Sequence, residues 1–490
     1  PVELVDRSLN DQLTSRTRIS FAPSKNYTVP QEMHYGFGTW VQCDNYADEQ
    51  ECNNNALVFS AGGYGWLPVI DKKNGFYGVL GMYETMRPGD RSGGEKAKLT
   101  FDIIRPYIAR GMSASGDVVP VKLGSAGLSV PAGEVVRISP TGQSYVDPEV
   151  MQEYDKLTFM DGSRRVWVSD VDPVTGKFVS AKGMDLLIDS DHVDLKLTNT
   201  GPEYGLDRDG WSVVYTKKVA DAMQVWSGRL DGKKVVAKPM TSGRSALGAV
   251  PSKNVSGDST RILAVQGSWK KGDLIWVDFD KPAERHVLAP ISDNTDARWV
   301  NDSNLAVSTL GGADYGQLAL IDTDTGQVRR ITDDAGSKTR PYGWFAPEAG
   351  DNRLRVLAIV DKTSLGVYED KGSKYWERVM TMPIPAGTGG VSMSSPEPFV
   401  AAGRSYASMT VAITRRPPPD ADAQIWIMDL SGSSAEPSSW RCDDADPTPA
   451  FRADPEAYIG SEQVFLYYSI YGRRGGVGIY RCATGIRTDR

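Results

Sequence analysis

Apolar runs separated by polar turns recur along residues 151–490. In each unit, a turn rich in Asp, Gly or Asn precedes one apolar run. A second strand, most often with a Trp, then leads into another turn. These second strands are marked by Trp167, Trp226, Trp276, Leu320, Trp376, Trp426 and Ile479. The markers lie 44 to 59 residues apart, and a period of roughly 50 residues is the size of one four-stranded propeller blade. The pattern predicts a mainly β chain with a seven-bladed β-propeller over residues 151–490. Stacked β-meanders that do not close into a ring are the alternative.

The apolar runs "RILAV" (261–265) and "LAVST" (305–309) are typical of inner strands buried on both faces. The Trp-bearing strands are predicted to lie outside them. Two segments, "PEYGLDRDGWSVVYT" from Pro202 and "LALIDTDTGQVRRIT" from Leu318, resemble TolB-like propellers. The resemblance implies the same fold, and a propeller fold by itself does not define an activity.

Residues 1–115 break the repeat, and residues 116–150 are predicted to be a linker with the first propeller strand. The segments "HYGFGTWVQC", "NALVFSA", "GGYGWLPVID" and "FYGVLGMYE" predict antiparallel strands. Apolar residues spaced along Lys98–Met112 predict an amphipathic helix, in which Pro106 either introduces a kink or lies near the start. Residues 1–115 are therefore predicted to form a partial α/β domain, an antiparallel sheet with a helix.

The glycine pattern of these strands resembles the C-terminal end of serine β-lactamase-like enzymes, which include penicillin-binding proteins and D-aminopeptidases. The matching segments are "YGFGTW", "GGYGWLPVID" and "GFYGVL". The resemblance implies that Gly62, Gly63 and Gly65 belong to a strand along which a substrate passes, because a strand without side chains permits close approach.

The catalytic motifs of that family are not found in this sequence. No Ser-x-x-Lys nucleophile precedes these strands, and the third motif aligns with the apolar segment 57–59. Ser60 is the nearest polar residue and is expected to be an ordinary strand serine rather than a catalytic group. Two hypotheses remain for this region. Either it is a degenerate, non-catalytic domain, or a separate upstream chain supplies the nucleophile and completes a serine hydrolase.

Charge and hydropathy exclude two classes of partner. The net charge is −7 and no basic run occurs, so we expect no nucleic-acid binding. No apolar run reaches the length of about 18 residues that a membrane helix needs.

The chain begins with Pro1 and shows no leader, so we expect a mature or trimmed chain. An incomplete sheet would expose apolar surface, which predicts a second chain or subunit that covers the N-terminal domain.

The cysteines form two pairs by position, Cys43 with Cys52 and Cys442 with Cys482. Two disulfides, the second joining the sixth repeat to the seventh, would indicate an oxidising compartment; four free thiols are the alternative. The sequons at Asn26, Asn254 and Asn301 favour the same conclusion, a secreted and glycosylated protein.

Candidate chemistry in the repeats is sparse. The three histidines, His34, His192 and His286, are too few and too scattered for a His-rich metal site, so we expect no metal and no cofactor. Turns such as "DVDPVTG" and "DTDTG" favour turn-forming Asp over calcium ligands. No carboxylate pair or Gly-x-Ser-x-Gly elbow stands out. We therefore expect an extracellular binding or structural scaffold, with a two-chain hydrolase as the alternative.

Overall fold

The computed structural model describes most residues after position 127 and a smaller number before it. The described residues are 34–35, 40–42, 56–60, 66–81, 97–98, 101, 105, 128–190, 201–207, 209–231, 234–254, 259–268, 271–290, 294–349, 353–414, 421–431, 438–446, 448–471 and 477–488. The chain divides into two units, Pro1–Ala126 and Gly127–Arg490. No helix in these ranges combines the length and the apolar character that crossing a membrane requires.

The first unit contains a five-stranded antiparallel sheet in which each strand pairs with the next along the chain. Its strands are β1 (His34–Tyr35), β2 (Trp40–Gln42), β3 (Leu57–Phe59), β4 (Trp66–Asp71) and β5 (Phe76–Gly81). Of the predicted helix, Lys98, Phe101 and Arg105 are helical, and its other residues lie outside the described ranges.

The three residues of β3, Leu57–Phe59, are buried on both faces of the sheet. Leu57 and Phe59 pack with Phe101 of the helical segment, whereas Val58 packs with Ile70. Burial disfavours the charged form of Asp71, but hydrogen bonds from Arg105, at 2.6 and 3.2 Å, outweigh it and lower the pKa of Asp71. Residues 57–59 are thus structural, as their composition predicts.

The described part of the second unit contains seven four-stranded antiparallel sheets. We number them sheet 1 to sheet 7 along the chain. Sheet 1 is β7 (Val146–Met151), β8 (Lys156–Met160), β9 (Val166–Asp170) and β10 (Leu186–Asp189); sheet 2 is β11 (Glu203–Asp207), β12 (Gly210–Val219), β13 (Ala222–Asp231) and β14 (Lys234–Pro239). Sheet 3 is β15 (Ala246–Pro251), β16 (Arg261–Gln266), β17 (Asp273–Asp278) and β18 (Arg285–Pro290); sheet 4 is β19 (Asn294–Trp299), β20 (Leu305–Leu310), β21 (Leu318–Asp322) and β22 (Val328–Arg330). Sheet 5 is β23 (Lys338–Ala346), β24 (Arg353–Val360), β25 (Ser364–Glu369) and β26 (Glu377–Pro383); sheet 6 is β27 (Ser392–Ala401), β28 (Arg404–Ala412), β29 (Ala423–Asp429) and β30 (Ser439–Arg441). Sheet 7 is β31 (Phe451–Ile459), β32 (Gln463–Tyr471), β33 (Gly478–Arg487) and β6 (Val135–Arg137). Three short 3-10 helices, Gln152–Tyr154, Gly312–Asp314 and Pro347–Ala349, lie between strands.

The first strands of the sheets form a closed ring. Each first strand contacts the first strand of the next sheet, and β31 of sheet 7 contacts β7 of sheet 1. The N-terminal strand β6 completes sheet 7 by pairing with β33, so the two ends of the unit meet in one sheet. This arrangement is a β-propeller. Stacked meanders, the alternative considered above, would leave the ring open.

A disulfide joins sheets 6 and 7. Cys442 follows β30 and Cys482 lies on β33, with their Cα atoms 6.1 Å apart. This confirms the predicted link between the sixth and seventh repeats. Cys43 and Cys52 lie outside the described residues, and their pairing stays a prediction.

The second strands that contain the apolar runs "RILAV" and "LAVST" are largely buried, as predicted. β16, which contains "RILAV", is almost wholly buried. The first strands, by contrast, contain charged residues on the side that faces the ring centre, such as Glu149 and Arg298. The two positions differ because a second strand packs between neighbouring sheets, whereas a first strand borders the central cavity.

The Asp-rich turns close the outer hairpins. In "DVDPVTG", the Asp172 carboxylate accepts the backbone N–H groups of Val174 and Thr175 at 3.0 and 2.8 Å. Gly176 follows with a φ of 63°, a conformation that favours glycine. Asp322 accepts from its own turn in the same way. These contacts support the turn-forming interpretation of the motif.

Candidate functional site

The first strands of six sheets share a bulge, which redirects one side chain of each strand. In six sheets the register with the second strand shifts near the start of the first strand. A residue with positive φ lies in every shift: Asp147, Gly248, Asp296, Arg340, Ser395 and Asp454. Bulges of this kind bend a strand and redirect a side chain. The residue two positions later is Glu149, Val250, Arg298, Tyr342, Glu397 or Glu456, and Glu203 follows Gly201-Pro202 in the same way in sheet 2.

These side chains border a cavity of about 190 Å³ at the centre of the ring. All seven first strands or the residues beside them contribute to its lining. The volume is below the roughly 300–1,000 Å³ typical of sites for drug-sized ligands. It suits a single group the size of an amino-acid side chain.

The charges in the lining fall into two arcs. The acidic arc comes from sheets 6, 7, 1 and 2 and contains Glu397, Asp454, Glu456, Asp147, Glu149 and Glu203. The basic arc comes from sheets 3, 4 and 5 and contains Lys253, Arg298 and Arg340. Because the sheets follow one another around the ring, the two arcs face each other across the cavity.

Two of the four glutamates are already bonded to the protein. Lys253 forms an ion pair of 2.8 Å with Glu149. The Tyr342 hydroxyl donates to Glu397 at 2.7 Å, and the Arg298 guanidinium lies 3.5 Å from that hydroxyl. Contacts therefore connect the basic arc to Glu149 of sheet 1 and to Glu397 of sheet 6 in the acidic arc.

Indole groups fix the wall between these charged positions. Trp299 of sheet 4 donates to the backbone carbonyl of Val250 in sheet 3 at 2.9 Å. Trp344 of sheet 5 donates to the Ser405 hydroxyl of sheet 6, also at 2.9 Å. Both bonds cross from one sheet to the next, so they hold neighbouring sheets in register around the cavity.

The glutamates of the acidic arc hold their protons more strongly than usual. Burial, with the nearby Glu149 carboxylate, raises the pKa of Glu203 to about 8. The same two causes raise the pKa of Glu397 to about 7. For Glu456, burial and the charge of Glu397 place the pKa well above its ordinary value. At neutral pH the empty cavity therefore retains protons on its acidic side.

Asp147 and Asp454 form a carboxyl pair. They occupy the equivalent bulge position in sheets 1 and 7, within identical "DPE" segments. Burial, followed by the charge of Asp454 and a hydrogen bond between the two groups, raises the pKa of Asp147 well above its usual range. Sharing one proton avoids placing two adjacent negative charges in a poorly solvated site.

Glu456 has a different environment from Glu149 and Glu397. It is 9 % exposed and borders the cavity. Within the described ranges, no hydrogen-bond donor or cation is paired with its carboxyl group. Buried carboxyl groups are usually paired, so this one has capacity for a partner from outside the chain.

Of the described site residues that were predicted from sequence, Asn301 borders this cavity and the others do not line it. Ser60 lies at the end of β3, where its backbone N–H donates to Pro68. His286 stacks on Trp276 on an outer hairpin, with ring centroids 3.9 Å apart. Six of the other predicted site residues, together with His192, lie outside the described residues: Asn26, Cys43, Cys52, Gly62, Gly63 and Gly65. Their roles stay predictions.

The two described sequons differ in exposure. Asn301 is exposed beside the cavity. Asn254 is 5 % exposed, and its amide donates to the Ser252 hydroxyl at 3.2 Å. A glycan needs an accessible amide, so Asn301 is the better candidate of the two.

No His, Cys, Asp and Glu residues of the described ranges form a group of three or more with metal-site geometry. The carboxyl groups of the acidic arc are therefore not arranged as a ligand set.

No protein-family model matches the chain, and no curated protein matches it. Among solved structures, the chain is similar to the β-propeller domain of Cps50 (Swd1) from Myceliophteria thermophila, at 12 % identity and a TM-score of 0.46, over 71 % of this chain and 98 % of that one. It is also similar to TolB from Acinetobacter baumannii, at 13 % identity and a TM-score of 0.33, over 89 % of this chain and 78 % of that one. The WD40 domain of SCAP from fission yeast matches at 10 % identity and a TM-score of 0.42, over 72 % of this chain and 98 % of that one. At these scores none of them supports an inference about ligand or activity, and none of these findings shows a β-lactamase-like domain.

Proposed function

We propose that this chain is a binding module, a seven-bladed propeller that holds a small charged group in its central cavity. The observation that carries the proposal is the origin of the lining: all seven first strands contribute to one cavity, with opposite charges on opposite sides. Seven sheets that each position a side chain give a site that is fixed by the whole ring. Fixed, partly desolvated charges recognise a charged group strongly, because little reorganisation accompanies binding.

Charged-group recognition is tested with four-carbon probes that differ only in charge. Butylammonium, butyrate, 4-aminobutyrate and butan-1-ol are titrated into the full chain at low ionic strength, by calorimetry and by Trp fluorescence. Trp299 and Trp344 border the cavity and provide the optical signal. We expect at least one charged probe to bind and the neutral alcohol not to bind.

Substitutions then locate the binding. Glu203→Gln and Arg340→Gln each remove one ionisable group from the cavity, whereas Glu377→Gln removes one from an exposed position on β26. We expect at least one cavity variant to change the affinity and the Glu377 variant to leave it unchanged. Failure of every charged probe, or equal effects of cavity and surface variants, would contradict the proposal.

The disulfide between Cys442 and Cys482 also supports an extracellular location, since such bonds persist in oxidising compartments. We propose that the chain acts there and that its N-terminal unit is a degenerate, non-catalytic domain. Co-purification of a chain with Ser-x-x-Lys, labelled by a fluorophosphonate in the native complex, would instead favour the two-chain hydrolase.

A further inference from the structure

We propose that the acidic arc of the central cavity is a subsite for one ammonium or guanidinium group, bound against Glu456 and Glu203. This inference rests on the proposed function and specifies the charge of the ligand. It concerns the residues that the contacts within the protein leave available.

The first argument is the difference between bonded and unbonded glutamates. Glu149 has Lys253 and Glu397 has Tyr342. In the described ranges the carboxyl groups of Glu456 and Glu203 accept no hydrogen bond from a side chain or from the backbone. Desolvating a carboxyl group without a donor is unfavourable. A cationic N–H donor from a ligand would remove that deficit.

The second argument is the charge balance of the lining. Six carboxyl groups and three cations border the cavity. The cations belong to sheets 3 to 5, and Lys253 is already ion-paired with Glu149. Lys253 attracts Glu456, and Lys253 and Arg298 attract Glu203, but no cation in the described ranges forms an ion pair with either carboxyl group. One additional positive charge would balance this side.

The third argument concerns the type of cation. The described carboxyl groups do not form a metal-ligand set, and calcium needs six to eight oxygen ligands at short distance. Ammonium and guanidinium groups instead need separate acceptors in different directions. Glutamates on two strands, with the cavity between them, provide such acceptors within about 190 Å³.

Cation binding is also expected to release protons. Glu456 faces Glu397, Glu149, Asp454 and Lys253, and Glu203 faces Glu149, Arg298, Lys253 and Glu397. Burial and the surrounding carboxylates raise the pKa of both groups when the cavity is empty. A bound cation favours the ionised forms, so its affinity increases with pH through the range in which these glutamates titrate.

The experiment compares butylammonium, butylguanidinium, butyrate and CaCl₂ by calorimetry on the full chain at pH 6, 7 and 8. Each titration is repeated in two buffers of different ionisation enthalpy, which counts the protons released. Capped pentapeptides with a central Lys or a central norleucine are included, to distinguish a free amine from a side chain of a protein partner. The variants are Glu456→Gln, Glu203→Gln and, as matched control, Glu377→Gln.

We expect the two organic cations to bind with proton release and with affinity that rises from pH 6 to pH 8. Glu456→Gln should weaken them on the order of tenfold to a hundredfold, the effect of losing one charged hydrogen bond. Glu377→Gln should have no effect. Binding by the Lys peptide alone would identify a protein partner; binding by the free amines as well would identify small cations as sufficient ligands.

Three results would overturn the inference. Butyrate binding in place of the cations would keep the cavity as a charged-group site but reverse its sign. Calcium binding that Glu456→Gln abolishes would replace the organic cation with a metal. If none of the probes binds, butyrate included, the proposed function itself is contradicted.

Discussion

The carboxyl group of Asp147 occupies the space beside Gly201, so that a Cβ atom at Gly201 would lie 1.1 Å from Oδ2 of Asp147. Gly201 precedes the first strand of sheet 2, and Asp147 lies in the bulge of sheet 1. The absence of a side chain at 201 therefore allows Asp147 to pair with Asp454. This close approach across two sheets determines the geometry of the acidic arc.

Gly201→Ala is expected to displace the Asp147 carboxyl and to lower the free energy of unfolding by about 1–3 kcal/mol, the usual effect of overpacking. In an Asp147→Ala background the same change should be less destabilising, with a coupling of about 1 kcal/mol or more, because the colliding group is absent. Urea denaturation of the wild type, the two single variants and the double variant measures this coupling. Equal effects of Gly201→Ala in both backgrounds would show that the contact does not constrain the site.

Stability is expected to fall between about pH 4.5 and pH 8. The pKa of Glu203 is about 8 in the folded chain, against roughly 4.3 when unfolded. In this range the folded state binds more protons than the unfolded state, so the free energy of unfolding decreases as pH rises. The contribution of Glu203 should be on the order of 1–3 kcal/mol, because its side chain is partly exposed and solvent screens the interaction.

Glu203→Gln tests this dependence, since the amide cannot titrate. Urea denaturation at pH 5, 6.5 and 8 should give a flatter profile for this variant than for the wild type, and Glu377→Gln should retain the wild-type slope. Glu369 does not interfere: hydrogen bonds from Lys371 and Arg353 outweigh its burial and lower its pKa to about 2, so its contribution is lost only below about pH 4.5. Parallel profiles for wild type and Glu203→Gln would exclude Glu203 as the source.

The fold was accessible from the sequence because its signals are local. Trp167, Trp226, Trp276 and Trp426 all lie on the third strand of a sheet, as their spacing predicted. Trp376 does not; it precedes the fourth strand of sheet 5. A marker that is misplaced by one strand leaves the period of roughly 50 residues unchanged. The propeller prediction, which rests on that period, is therefore unaffected.

The cavity was not predicted, because its residues are brought together only when the ring closes. One partial signal was present: Pro-Glu recurs at 148–149, 202–203, 396–397 and 455–456, where each glutamate borders the cavity, and also at 347–348, where Glu348 is not among the lining residues. No shared motif marks the cations. Lys253 follows its strand, Arg298 lies two residues after a bulge, and Arg340 lies within one. Their convergence depends on strand register, which sequence spacing does not specify.

Loss of the Cys442–Cys482 disulfide is expected to reduce the free energy of unfolding by about 4 kcal/mol, the chain-entropy value for a loop of 40 residues. Both cysteines are buried, so the bond should resist dithiothreitol in the native protein and break once the chain unfolds. Denaturation of the double variant Cys442→Ala/Cys482→Ala measures the effect, and peptide mapping without reductant checks the link. A linked peptide with unchanged stability would mean that sheets 6 and 7 stay together without it.

Glu134 is expected to hold the ring closed through Arg481. The Arg481 side chain is fully buried on β33, and its guanidinium donates to Glu134, the residue before β6, at 2.5 Å. Its Nε and Nη1 atoms have no hydrogen-bond partner in the described ranges. Glu134→Ala would leave a buried cation unpaired, so it should destabilise the chain by about 2–4 kcal/mol, slightly less than for a fully buried pair.

The matched control is Glu284→Ala, which removes an exposed pair with Lys281 at 3.7 Å and should change stability by less than about 0.5 kcal/mol. Adding Arg481→Met to Glu134→Ala should restore most of the loss, because the apolar side chain carries no charge to desolvate. Urea denaturation of the wild type and these three variants separates the ion pair from the backbone pairing of β6 with β33. If Glu134→Ala is no more destabilising than Glu284→Ala, then backbone hydrogen bonds alone close the ring, and the burial of Arg481 has a different cause.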